Sequence, residues 1–387
     1  MSGVQSLVRL GVIVGLLACV TCRAQEMRLV YPVPAPSAFT QRSNIVYKQA
    51  GQTALAMELF LPTGPALAKS LPVFVIFNGF GSSFMRTSPQ SQGWAKAATA
   101  HGFAGVTLET TQGHDAEDFD SLAEFLRQHG EDLHVDPERL VVIAWSGNVS
   151  AGLPAVEDPR RKAVKAAVMY YGSEDIPQVR LDLPVLFVRA GLDQPLSNHE
   201  LDRMIAAGIA ANAPWTLLNY PAGRHGFDVF DDNDLSREII EETFRFAQNA
   251  ISDAYQSALR AGVNEASAAG GIFTGDFAKA AALYREIVAA HPQDARRLLA
   301  YGIALTGAKR YKEARTQFDH AKVIGGLGER DLGVPAARAC ALDHDPEAAM
   351  VWLKQINPRF LPASLLSDAD FAILKDRPDF QALFQRH

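Results

Sequence analysis

The sequence predicts an α/β protein, a mostly parallel sheet flanked by helices and followed by an all-α segment. Three observations predict it. Across residues 44–253, short apolar runs alternate with amphipathic helical stretches, the pattern of a parallel sheet with helices on both faces. Three of those runs lead, in chain order, into Ser146, Asp193 and His225. From about residue 254 the strand signal stops, and small and aromatic residues recur every 34 positions.

The chain has 387 residues, enough for two domains, and its 48% hydrophobic content supports buried cores. The formal net charge is −6, and no basic run exceeds Arg160-Arg161-Lys162. That argues against a nucleic-acid surface, which must neutralise many phosphates.

Residues 1–24 read as a signal peptide. Arg9 precedes an apolar run over residues 10–20, and Cys22-Arg23-Ala24 offers a cleavage site before Gln25. The run is short for a membrane span, which needs about 20 apolar residues. Leu16-Leu17-Ala18-Cys19 is similar to a bacterial lipobox, so a lipid anchor at Cys19 is the alternative outcome of processing. Export follows either way, to the periplasm or beyond. Cys340 is then the one cysteine certain to remain, expected as a small buried hydrophobe, with no disulfide framework and no Cys-based zinc site.

Residues 25–43, with Pro32, Pro34 and Pro36, read as a leader or linker. An opening hairpin is expected at 44–48 and 55–61, the second strand stopped by Pro62. Residues 73–77 form the continuous apolar run of a strand buried on both faces. A helix at 93–101, a strand at 105–108 and an amphipathic helix at 116–129 follow. Further strands are expected at 140–144, 166–171, 185–188 and 216–220, with helices at 150–156, 197–211 and 235–251.

In residues 254–387, Phe277 and Tyr311, then Ala280, Ala314 and Ala348, then Tyr284, Phe318 and Trp352 stand 34 apart, the period of tetratricopeptide helix pairs. Pro292 falls where the second helix of a pair ends, and Tyr301-Gly302 supplies the small residue of the next helix. So few repeats leave apolar stripes that need a cover, either the sheet domain or a protein partner. An ordinary helical bundle with chance spacing is the other reading.

A serine hydroxyl is a weak nucleophile at neutral pH. It needs a base to take its proton, a carboxylate to orient that base, and donors for the oxyanion. Ser146, where the run at 140–144 breaks into Trp145-Ser146-Gly147, is the expected nucleophile. His225, on a glycine-bracketed loop after the last strand, is the expected base, and Asp193 its orienting carboxylate. The backbone N–H groups of Gly147 and of Phe80, in the loop after 73–77, are the expected oxyanion hole. Singly, each residue has an ordinary reading as a cap or a surface loop residue. In this order, each following a strand, they form the arrangement of α/β-hydrolases.

Val135-Asp136-Pro137-Glu138-Arg139-Leu140 leading to Trp145-Ser146-Gly147, then Arg189-Ala190-Gly191-Leu192-Asp193, then Arg224-His225-Gly226-Phe227-Asp228 resembles the dienelactone-hydrolase-like branch of that fold. The resemblance implies hydrolysis of small-molecule carboxylic esters through an acyl-enzyme, with no metal or organic cofactor. Namesake enzymes use a cysteine where this chain has Ser146, so dienelactone itself is not the expected substrate. The G-x-S-x-G elbow reads Ala144-Trp145-Ser146-Gly147-Asn148, and Asn148 stands where the helix must pass close to the strand. A rival register would use Ser150 with Gly152. Two further functions stay open at this point. One is a weak or inactive scaffold that serves the helical segment as a partner-docking module, and the other is a serine peptidase on the same three residues.

Other site classes fit poorly. His199-Glu200-Leu201-Asp202-Arg203 lacks the second histidine of a zinc-protease helix. Gly79-Phe80-Gly81 has Phe84 where a dinucleotide fingerprint has its third glycine. Glu109, His114 and Asp115 read equally as pocket lining or as a solvated loop.

Overall fold

The computed structural model of the chain describes residues 27–51, 53–64, 70–81 and 83–385. The expected signal peptide and Cys19 lie outside the described residues. Eight strands form one sheet: β1 Phe39–Ala50, β2 Thr53–Pro62, β3 Leu71–Ile76, β4 Ala104–Leu108, β5 Val135–Trp145, β6 Val164–Tyr170, β7 Val185–Ala190 and β8 Trp215–Tyr220. Their order is β1-β2-β4-β3-β5-β6-β7-β8. The β1/β2 and β2/β4 pairs are antiparallel, and every pair from β4/β3 to β7/β8 is parallel. Each expected strand is present.

Along the central strands, alternate residues feed two cores, as the two-residue period of a strand requires. Val73, Val75, Val142 and Ala144 face one core, and Phe74, Ile76, Val141 and Ile143 the other. The helices of the sheet domain are α1 Ser83–Thr87, α2 Pro89–Ala100, α3 Asp115–Leu133, α4 Val149–Glu157, α5 Pro195–Ala210, α6 Phe227–Phe230 and α7 Asp234–Ala250. Leu122 and Leu126 of α3 and Leu153 of α4 close the first core. Trp94 of α2 with Ile240 and Phe244 of α7 close the second.

Within the expected leader or linker, the described residues from 27 onward pack against the sheet domain. Leu29 is buried in the second core. The Val30 N–H donates to the carbonyl of Asp228 at 2.8 Å, and the Tyr31 hydroxyl donates to the Glu241 carboxylate. Strand β1 already begins at Phe39. Prolines hide this segment from a periodicity argument because it packs by single anchors rather than as a regular element.

At the end of α4, the buried Glu157 carboxylate accepts the Arg180 N–H at 2.5 Å and Trp215 Nε1–H at 3.1 Å. Burial, outweighing these hydrogen bonds, pushes its carboxyl from 4.5 up to about 7. Between those values the native state keeps a proton that the unfolded chain has released. The contribution is therefore complete below the unfolded value and is lost as pH rises through the folded one. At about 1.4 kcal/mol per unit, the whole loss is on the order of 3 kcal/mol. Urea denaturation at pH 5 and pH 8 should show this loss in the wild type and a flatter response in Glu157→Gln.

The remaining helices are α8 Asp253–Thr274, α9 Phe277–Ala290, α10 Ala295–Gly307, α11 Tyr311–Ile324, α12 Glu329–Leu342, α13 Pro346–Leu353 and α14 Pro378–Ala382. They pair in sequence as α8 with α9, α10 with α11 and α12 with α13. Pro292 lies just past α9, the second helix of its pair. Tyr284, Phe318 and Trp352 are all buried, as are Ala280 and Ala314. In the third repeat Ala349, not Ala348, takes the fully buried place, a slip of one residue. Gly302 is required by packing, since a side chain there would meet the Phe318 ring at 2.5 Å. Cys340 is buried on α12, and burial pushes its thiol up to about 11. Helix α8 joins the two parts: Gln256 Nε2 donates to the carbonyls of Lys165 at 3.0 Å and Ala250 at 2.7 Å.

Candidate active site

Because β3 and β5 to β8 run parallel, the loops leaving their C-terminal ends gather along one edge of the sheet. Strand β5 stops at Trp145, and the chain turns through a short 3-10 segment, Ser146–Asn148, into α4. Ser146 has φ +53°, in the left-handed region that non-glycine residues rarely adopt and that carries strain. Its Oγ lies 2.8 Å from His225 Nε2, and His225 Nδ1 lies 2.7 Å from Asp193 Oδ2. With Nδ1–H donating to the carboxylate, Nε2 is left to accept the serine proton. The Asp193 side chain is 4% exposed and that of His225 48%, so the orienting group is buried while the base faces solvent.

The loops carrying Asp193 and His225 are held backbone to backbone. The Gly191 N–H donates to the Tyr220 carbonyl at 2.8 Å, and the Leu192 N–H to the Gly223 carbonyl at 2.9 Å. A side chain at Gly191 would meet the Pro221 carbonyl oxygen at 2.5 Å, so only glycine allows this approach.

Both substitutions in the elbow motif are accommodated. Ala144 fits because its neighbour on α4 is Gly152, where a side chain would stand 3.0 Å from the Ala144 Cβ. Asn148 has ordinary helical angles, φ −65° and ψ −21°, and is buried. Its Oδ1 accepts the Gly79 N–H at 2.7 Å, tying the loop after β3 to the elbow. Asn148→Gly, although it restores the expected motif, should therefore lower stability, because it strips a half-buried N–H of its acceptor. A loss of about 1–3 kcal/mol in chemical denaturation is the expected size.

The structure places the expected oxyanion donors differently from each other. Gly147 directly follows Ser146, beneath the Phe80 ring, where a side chain would meet Phe80 Cζ at 2.7 Å. The Phe80 N–H instead donates to Asn78 Oδ1 at 3.1 Å. The expected second oxyanion donor is thus held in a local turn. The reason is that the Asn78 amide is buried and anchored through its Nδ2 to the Leu108 carbonyl, at 3.3 Å. Ser150, the rival nucleophile, donates its hydroxyl back to the Gly147 carbonyl at 2.8 Å. Glu109 accepts the Ala56 N–H and Arg86 Nε–H, each at 3.0 Å, and the buried Asp115 accepts from Thr110 Oγ1 at 2.7 Å. His114 is exposed where α3 begins.

Two residues escaped the sequence reading. Tyr171, at φ +35°, packs its ring 4.7 Å from that of His225 and donates its hydroxyl to Asp228 Oδ1 at 2.5 Å. Asp228 is wholly buried and also accepts Gln90 Nε2–H at 2.9 Å and Trp94 Nε1–H at 3.0 Å. Burial raises its carboxyl above the usual range, and these donors oppose the rise. The carboxylate anchors the chain three residues beyond His225. Its place in His225-Gly226-Phe227-Asp228 was a usable signal, whereas nothing in the sequence marks Tyr171.

A mostly parallel sheet bearing a serine at a strained strand-to-helix turn is the arrangement of the α/β-hydrolase fold. Residues 133–260 match the model of the dienelactone hydrolase family, and residues 274–322 match that of the tetratricopeptide repeat. A protein of Escherichia coli O157:H7, provisionally named carboxymethylenebutenolidase, is 28% identical over 140 residues, covering 33% of this chain and 49% of that protein. Its counterpart in Escherichia coli strain K12 is 26% identical over the same coverage. The chain spans about half the length of these curated relatives. Among solved structures, MGS-M1, an α/β-hydrolase from a deep-sea metagenome library, is 15% identical with a TM-score of 0.44, covering 56% of this chain and 99% of its own. A truncated carbohydrate esterase from gut microbiota is 13% identical with a TM-score of 0.46, at the same coverage.

Proposed function

We propose that the protein is an exported carboxylic ester hydrolase that works through an acyl-enzyme on Ser146. One observation carries this reading: the continuous relay from Ser146 Oγ through both nitrogens of His225 to the buried Asp193 carboxylate. Ser146 Oγ attacks the ester carbonyl carbon while His225 Nε2 takes its proton, and Asp193 stabilises the imidazolium that forms. The Gly147 N–H supports the oxyanion. Collapse breaks the C–O bond, and His225 returns the proton to the departing alcohol. A water, deprotonated by the same nitrogen, then releases the acid and regenerates Ser146. The apolar run at residues 10–20 supports export, with lipidation at Cys19 as its anchored form. The repeat segment supports a protein partner as a second role for the chain.

Stopped-flow hydrolysis of 4-nitrophenyl esters of increasing chain length tests the acyl-enzyme. A burst of nitrophenolate stoichiometric with protein, absent from Ser146→Ala, is expected. Turnover of these esters at wild-type rate by Ser146→Ala would refute the reading.

A further inference from the structure

Resting on the serine-esterase reading, we propose that the substrate is an uncharged ester with an apolar acyl chain, and that acid-bearing esters and lactones are excluded by charge. A substrate carboxylate bound beside Ser146 needs a cation to replace its water. Where the chain leaves the C-terminal ends of β3 to β8 it carries Arg180 and Arg224 in the loops and Arg86 on the short helix α1. Each is already committed. Arg86 bonds Glu109 at 3.0 Å and also Glu58. Arg180, its side chain buried, bonds Asp182 at 3.0 Å and the carbonyls of Val156 and Arg161. Arg224, next to the proposed base, bonds Asp231 through Nε at 2.6 Å and through its own backbone N–H at 3.1 Å. An incoming carboxylate would have to displace one that the fold already holds in place, two residues along the chain from Arg180 and seven from Arg224. The same loops also carry Glu174 and Asp193, whose charge disfavours a further carboxylate, while Asp175 and Asp232 are paired with Arg203 and Arg237.

The rim offers apolar surface instead. Phe80 and Phe84 on the β3 side, and Leu192 and Leu196 on the β7 side, are each more than half exposed. Phe80 lies over Gly147, and Leu192 adjoins Asp193 with its N–H on the His225 loop. In the sheet, β3 and β7 lie on opposite sides of β5, the strand that ends at Ser146. Exposed apolar side chains therefore follow strands on both sides of β5, with Phe80 against the elbow itself, and there an alkyl or aryl chain would find apolar surface while a carboxylate would find no free cation.

The test compares 4-nitrophenyl hexanoate with mono-4-nitrophenyl adipate, which has the same chain length and a terminal carboxylate, on the full chain at pH 7.5. The neutral ester should be favoured in kcat/KM by about tenfold or more. Leu196→Arg should narrow that ratio by about tenfold, whereas mere structural damage would lower both rates together. Equal or faster turnover of the adipate ester by a wild type whose Ser146 reacts with a fluorophosphonate overturns the substrate class and leaves the esterase reading standing. Ser146 labelling without turnover of either ester does the same. Failure of both turnover and labelling removes the esterase reading and this inference with it.

Discussion

Ser146→Ala and His225→Ala should each lower kcat by roughly 10⁴- to 10⁶-fold on an ester that the wild type turns over, and the double variant should be hardly worse. The hydrogen-bonded chain from Ser146 through His225 to Asp193 is the reason. Once one member is lost, the other has no proton to give or take, and only the oxyanion contact and substrate binding remain. Steady-state kinetics of the three proteins on one ester measure it, and losses that multiply in the double variant would show independent roles. Stability offers a control. Since Ser146 sits at φ +53°, Ser146→Gly should relieve strain and raise stability by about 1 kcal/mol, while Ser146→Ala should not.

Asp228→Ala should be the most destabilising single change near the site, by about 3–5 kcal/mol. It leaves the Tyr171 hydroxyl, the Trp94 indole N–H and the Gln90 amide without their shared acceptor in a fully buried position. Tyr171→Phe keeps the ring against His225 and loses one hydrogen bond, so about 1 kcal/mol is expected. Urea denaturation of the two variants gives the comparison. If Asp228→Ala unfolds at the wild-type midpoint, the buried carboxylate is not the anchor of the His225 loop.

The sheet was legible because its central strands are buried on both faces and therefore read as unbroken apolar runs, such as residues 140–144 and 185–188. Its edges and entries were not. Strand β5 begins at Val135, where Leu71 pairs with Val135 and Pro72 with Asp136, yet Asp136, Pro137, Glu138 and Arg139 give that stretch no apolar signal. Helices α1 and α6, at five and four residues, are too short to show a period. The slip from Ala348 to Ala349 is likewise invisible to a strict 34-residue count.

At the site, the order of Ser146, Asp193 and His225 was readable because each follows an apolar run. What supports them depends on contacts between segments remote in the chain. Asn148 meets Gly79 across 69 positions, Tyr171 meets Asp228 across 57, and Gln90 meets Asp228 across 138. The departure of Asn148 from the motif read as the larger difficulty at the elbow, although its side chain accepts the Gly79 N–H from the loop after β3. The local bond of the Phe80 amide was hidden for the same reason, since its partner Asn78 is held by the Leu108 carbonyl on another strand.

The most direct test of the central claim is to treat the folded chain with a fluorophosphonate and locate the adduct by peptide mass spectrometry. A single adduct on Ser146, absent from Ser146→Ala and strongly slowed in His225→Ala, is the predicted result. No adduct on folded protein, or an adduct on Ser150 in place of Ser146, would contradict it.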